Sequence, residues 1–288
     1  MTDINYGAIA RDAGLHRVGA RAPLGRYLAE IWQRRAFAAS LARYRIQASL
    51  HESRLGLGWI VLRPILMAAV YGLIFGIILP RDTRPEDVAF VPFLVVGVFI
   101  FEFFSKSFSA GARSITGNMG LVRSLSFPRM LLPVSQIIQQ VFELVPMLIV
   151  MGVIVLCFGI PLTWSWLLVI PAMMLMTMFN LGVALIAARL TVHIRDVTQV
   201  IPIITRLIFY ASGIFYSLEL VLADQPPWML TVAQLNPVHD FIALVRSFVL
   251  GGPELPPLVT IMALTASVVT LVLGIVFFWK AEERYGRD

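Results

Sequence analysis

The sequence predicts an all-α integral membrane protein: six transmembrane helices preceded by an amphipathic interfacial helix, with a short external or re-entrant helical segment between the fifth and sixth. Three observations predict it. Of 288 residues, 58% are hydrophobic and only 14% charged, with a mean hydropathy of +0.82; a soluble domain carries nearer a quarter of charged residues. Several apolar runs approach or exceed the ~20 residues that cross a bilayer. The lysines and arginines are sorted along the chain as a multi-pass topology requires.

The first 58 residues form a cytoplasmic amino-terminal segment. Within it, Arg26–Gln47 alternates apolar and basic residues, and Leu28, Ile31, Trp32 and Leu41 can share one helical face. That pattern suits a helix lying in the membrane interface. Residues 59–279 form the transmembrane domain, with spans at Trp59–Leu79, Phe90–Ala110, Leu132–Phe158, Trp166–Leu190, Val200–Tyr216 and Leu258–Trp279. They read as helices because each run is continuously apolar, whereas barrel strands are shorter and alternate. Ser217–Pro257 lies between the last two spans; its NPVHDFIALVRSFVLGG stretch reads as a helix started at Asn236-Pro237 and stopped at Gly251-Gly252. Residues 280–288 form a cytoplasmic tail.

Seventeen of the 23 Lys and Arg fall on one side of this topology. Arg81, Arg84 and Arg246 fall on the other, and Arg63, Lys106 and Arg206 lie within spans. Both termini are therefore expected in the cytoplasm, the protein being multi-pass in the cell (plasma or inner) membrane. The net charge of +6 follows from this sorting and does not indicate a nucleic-acid partner. The single cysteine, Cys157, excludes an intrachain disulfide.

Enzyme and nucleotide motifs are missing. The sequence has no GxxxxGK[ST] loop, no HExxH, no CxxC and no GxSxG. His16, His51, His193 and His239 are scattered over both faces, and Glu86 and Asp87 read as solvated turn residues. The expectation is a transport subunit with no catalytic residue, cofactor or metal of its own.

Four ordered motifs carry a resemblance. They are RYRIQASLHESRLGLGWIVLRPILMAAVYGLIFG (Arg43–Gly76); VPFLVVGVFIFEFF with SITGNMGLVRSLSFPRMLLP (Ser114–Pro133); Arg195-Asp196 after span four; and Asn236-Pro237 with Arg246. Together they resemble the membrane (permease) subunit of ABC-2 type exporters, in the branch that exports polysaccharide, O-antigen or teichoic acid. At Gly213–Tyr216 the chain reads GIFY where many members have Ser-Pro-Ile. The resemblance implies a homodimer working with two copies of a separate ATPase subunit, which would hold ATP and Mg. It implies export of a lipid-linked glycan or teichoic acid polymer. It also implies that the basic, acid-free loop with Arg113, Asn118, Leu121 and Arg123 contacts the ATPase. Two alternatives stand beside it: an ABC-2 exporter of a drug or lipid, and a membrane-embedded glycosyl- or phosphotransferase, whose clustered acidic metal ligands the sequence lacks.

Charges within spans are costly, about 2.5–3.5 kcal/mol each on insertion scales, and face protein or water. Glu102 and Lys106 stand four residues apart, so they share a helix face and can form an intramembrane ion pair. Ser135, Gln136, Gln139, Gln140 and Glu143 form a polar stripe on span three. It can line a passage for a hydroxyl-rich chain, or hydrogen-bond helices together. Tyr71, Phe75, Phe209, Tyr210 and Tyr216 are the aromatic candidates for the passage wall. Arg63 and Arg206 can snorkel to phosphate headgroups or bind the pyrophosphate of a lipid-linked substrate. The Met-rich Met173–Asn180 reads as adaptable helix packing.

Overall fold

In hydrocarbon every backbone polar group must be satisfied within the protein, and every regular element among the described residues is helical. The computed structural model describes residues 22–51, 58–74, 89–194, 196–222, 224–251 and 255–282. The amino-terminal 21 residues, the end of the first expected span, Phe75, Arg81, Arg84, Glu86, Asp87, Arg195, Gly252 and the tail beyond Glu282 lie outside the described residues.

In chain order the helices are α1 (Leu24–Gln33), α2 (Arg35–His51), α3 (Gly58–Leu73), α4 (Phe90–Ala112), α5 (Met119–Ser124), α6 (Leu131–Cys157), α7 (Val169–His193), α8 (Val197–Ala211), α9 (Leu218–Val221), α10 (Pro227–Ala233), α11 (Pro237–Leu250) and α12 (Pro257–Lys280). Four of them, with α7 extended by the 3-10 turn Trp164–Leu168, are long and apolar enough to cross a membrane. The other two expected spans correspond to α3, whose 16 residues run almost to the end of the described stretch, and to the 15-residue α8, which is shorter than a full crossing.

Two expectations change in detail. The expected interfacial helix is two helices that meet at Arg34. Its four apolar residues do not share one surroundings: Ile31 and Leu41 pack inward with buried Tyr27, whereas Leu28 and Trp32 are exposed. The fifth span ends at Ala211 instead of Tyr216, because Gly213 takes φ +65° and turns the chain. Glycine reaches that left-handed conformation at no steric cost, so the chain breaks here without a proline.

α7 is the hub. α12 packs along one side of it and α4 along the other. The α7–α12 crossing is backbone on backbone: a Cβ at Gly274 would lie 2.5 Å from the Gly182 carbonyl oxygen. Small residues at a crossing let helices approach closely enough for van der Waals contact to hold them together in lipid. Gly111 serves the same purpose against Ala184 between α4 and α7. Between these crossings lies an aromatic core. Phe104 and Phe179 have ring centroids 6.1 Å apart, and Phe179 and Phe241 5.8 Å apart.

Phe241 belongs to α11, so this helix reaches the middle of α7 and packs into the bundle. Asn236 caps it by accepting from Val238 N–H at 3.1 Å, with Pro237 in the first turn. Its Arg246 was expected among the external charges, but it is 9% exposed inside the bundle. Its guanidinium donates to the Phe93, Gly213 and Ile214 carbonyls at 2.8–3.2 Å and lies 3.4 Å from the centroid of the Phe93 ring. A Cβ on Gly97 would sit 2.6 Å from Arg246 Nη2, so Gly97 makes the room. The inward setting has a physical reason. The end of α8 leaves carbonyls without intrahelical partners, and a planar five-donor group can serve several of them at once. Arg246→Lys is therefore expected to destabilise by about 1–3 kcal/mol, the cost of unsatisfied buried acceptors. A thermal midpoint equal to that of the parent would remove Arg246 from the list of structural anchors.

Candidate functional site

α4 presents Glu102 and Lys106 on one face, one turn apart, and Lys106 Nζ lies 3.7 Å from Glu102 Oε1. The structure adds a second carboxylate. Glu143, halfway along α6, approaches Lys106 Nζ at 3.8 Å and accepts from Gln139 Nε2 at 3.0 Å. The three charged side chains are 21%, 22% and 13% exposed for Lys106, Glu102 and Glu143. Two carboxylates thus share one ammonium, so the expected pair is one part of a three-charge cluster. Glu143 joins the Glu102 level and is not a separate, deeper group.

The polar stripe on α6 divides. Ser135, at its start, accepts from Arg45 of α2 at 2.9 Å and donates to the Leu132 carbonyl. Gln140 is buried and Gln136 half-buried. Gln139 and Glu143 belong to the charge cluster.

Glu102 also faces a cavity of about 340 Å³ between α3, α4 and α8. Ser105, Ser109, Thr205 and Arg206 give it polar walls; Met67, Phe101 and Phe209 give it apolar ones. Phe101 and Phe209 meet edge to face at 4.9 Å. The cavity therefore sets a carboxylate, a guanidinium, hydroxyls and aromatic faces around one volume, which opens at the surface of the chain where Met67, Pro202 and Arg206 are exposed. Polar groups placed among aromatic faces can hold a hydroxyl-rich ring by hydrogen bonds and C–H contact. Gln136, Gln139, Gln140 and Glu143 do not line it. Tyr216 lines a different, largely apolar cavity of about 400 Å³ with Trp228 and Met229. Tyr216 donates to the Tyr210 carbonyl at 2.7 Å, and Tyr210 is exposed on α8. Arg63 and Tyr71 fall on α3, and their side chains lie outside the described residues.

A second candidate surface lies where α4 ends and α6 begins. A 3-10 turn at Thr116–Asn118 leads into α5. Arg113 and Arg123 are exposed there, and Leu121 is half-buried. Asn118 is used internally: it donates to the Ser114 carbonyl at 2.7 Å and accepts from Arg45 at 3.1 Å. Gly117 and Gly120 are exposed, and a Cβ on either would meet nothing within 4 Å. No packing among the described residues requires glycine at these positions. Arg34 donates to the Ser126 carbonyl at 3.1 Å and Phe37 packs on Phe127, so α1 and α2 cradle the loop from behind.

Sequence reasoning missed Asp240. It is fully buried in the first turn of α11, and neither carboxyl oxygen has a hydrogen-bond partner among the described residues. Its sequence signal was a lone acid in an apolar helical stretch.

The family described as "ABC-2 type transporter" matches residues 37–250. The chain is 29% identical over 258 residues to the O-antigen export system permease protein RfbA of Myxococcus xanthus, covering 89% of this chain and 94% of that one. It is 25% identical over 235 residues to a protein of the same description from Klebsiella pneumoniae, covering 81% and 87%.

Proposed function

Because the chain belongs to the ABC-2 type transporter family, we propose that it is the membrane subunit of an ATP-driven exporter that moves a lipid-linked polysaccharide out of the cytoplasm. Two copies form the passage, and two ATPase subunits bound on the cytoplasmic side supply the energy with ATP and Mg. The protein sits in the plasma or inner membrane with both termini in the cytoplasm. The relatives named as O-antigen permeases, matched over most of their length, support the polysaccharide as cargo. The observation that carries the reading is the Glu102–Arg206 cavity. It holds charge, hydroxyls and aromatic faces in a groove that opens at the surface of an apolar helix bundle, where hydrocarbon-facing side chains would otherwise be the cheaper choice.

On this reading the cavity forms part of the passage wall. Arg206, exposed on α8, is proposed to meet the phosphates of the lipid carrier through charge-assisted bonds, and Arg63 is proposed for the same role from the sequence alone. The α5 loop is the ATPase contact. Its exposed arginines suit an acidic groove, and exposed Gly117 and Gly120 allow another backbone to come close. The test is capture of an ATPase subunit by the tagged chain from native membranes, with glycan export followed in the same cells. Arg123→Glu reverses one charge outside the spans, so membrane insertion is expected to persist while ATPase capture or export falls at least tenfold. Normal capture together with normal export would take α5 out of the mechanism. Loss of a secreted drug or lipid, with the glycan still exported, would reassign the cargo.

A further inference from the structure

Three segments far apart in sequence meet at one carboxylate beneath the bundle. Glu282 follows the last turn of α12. Its Oε2 accepts the Tyr27 hydroxyl at 2.7 Å, and its Oε1 accepts the backbone N–H of Arg129 at 2.9 Å. Its carbonyl oxygen accepts Arg129 Nη1 at 2.5 Å. Tyr27 oxygen in turn accepts the N–H of Met130 at 3.3 Å, and the Trp279 indole donates to the Ala22 carbonyl at 2.9 Å. Beneath these bonds Tyr27 packs with Ile115, Val122, Met130 and Phe278. Helix α1, the turn after α5 and the end of α12 are thus joined around a shared apolar patch.

We propose that Glu282 is a positioning residue of the transport cycle: it fastens α12 and α1 to the turn behind α5, so that displacement of α5 is handed to both. The inference rests on the reading that α5 docks an ATPase. The chemistry favours a carboxylate here. Each of its oxygens accepts from a different segment, and an amide has only one acceptor, so glutamine can replace half of the bridge. Burial pushes the Glu282 carboxyl above its ordinary value; the nearby Glu30 adds to the rise, while the Arg129 N–H, the Tyr27 hydroxyl and the Arg129 charge oppose it. The rise is the cost of burying the charge, and the bonds that make the tie, with the Arg129 guanidinium, are what offset it.

The experiment uses the full chain with its ATPase partner. Amide hydrogen exchange at Arg129 and Met130 reads the tie directly. Glu282→Ala is expected to speed both at least tenfold. Glu282→Gln is expected to speed them less, because the amide oxygen keeps one acceptor. Glycan exported per ATP hydrolysed is expected to fall at least tenfold in Glu282→Ala, with ATPase capture retained. Unchanged exchange overturns the tie, and an unchanged ratio of export to hydrolysis overturns the relay. If the parent chain itself captures no ATPase, the docking reading falls and the relay with it, while the exchange result still decides the tie. Where Glu282→Ala fails to fold, Tyr27→Phe, which removes the bonds to Glu282 and from the Met130 N–H and leaves the Arg129 N–H bond in place, gives the same readouts.

Discussion

Gly182→Val is expected to leave little or no folded protein in the membrane. A Cβ at this position would meet the Thr270 carbonyl and lie 2.6 Å from the Leu271 nitrogen, all of it backbone of α12. A flexible side chain could turn away from the new group; a helix backbone cannot. The helices must separate, and α7 against α12 is the most extensive helix–helix contact in the bundle. Overpacking usually costs about 1–3 kcal/mol, and a clash with immovable backbone at the central crossing belongs at or above the top of that range. Gly274→Val is expected to behave alike, since its Cβ would meet Gly182. Gly25→Ala is the control: nothing lies within 4 Å of that Cβ, and alanine favours the helix. Yield of monodisperse protein and its thermal midpoint in detergent report the outcome. A Gly182→Val protein as stable as the Gly25→Ala control would mean that the two helices are not packed as described.

Four of the spans were legible because an apolar run of sufficient length has few other uses. The start of α11 at Asn236-Pro237 was legible for a local reason, the capping chemistry of the two residues. What sequence could not supply was whatever depends on a second helix. Spacing pairs Lys106 with Glu102 because both lie on α4; nothing local announces that Glu143, on α6, reaches the same ammonium. Arg246 reads as an external loop charge because counting treats every residue outside a span as wet. Its true setting depends on carbonyls from α4 and on the chain end after α8. Gly97 has the same character: its purpose is the guanidinium beside it, 149 positions later in the chain. Asn118 was legible as a loop residue, but its bond to Arg45 turns it inward, toward holding the loop's shape.

Lys106→Met is expected to be the most damaging single change in the charge cluster, and the reason lies in the count of partners. Removing the ammonium leaves Glu102 and Glu143 uncompensated in a site where each is about one-fifth exposed or less. Breaking a buried pair by removing one partner costs about 3–5 kcal/mol, and the partial exposure here places the loss toward the lower end. Glu102→Gln alone leaves Lys106 with Glu143, and Glu143→Gln alone leaves it with Glu102, so each should cost under about 1.5 kcal/mol, the net worth of one ordinary hydrogen-bonding interaction. The triple variant, which combines Lys106→Met with Glu102→Gln and Glu143→Gln, removes every charge together and is expected to recover much of the loss. Thermal midpoints of the single, double and triple variants measure the couplings through mutant cycles. If Lys106→Met is no worse than Glu102→Gln, the three charges do not form one unit. Export separates structure from transport in the same series. Glu102 is the member that also faces the Arg206 cavity, so Glu102→Gln is expected to lower export while barely moving stability, and Glu143→Gln to leave export near that of the parent.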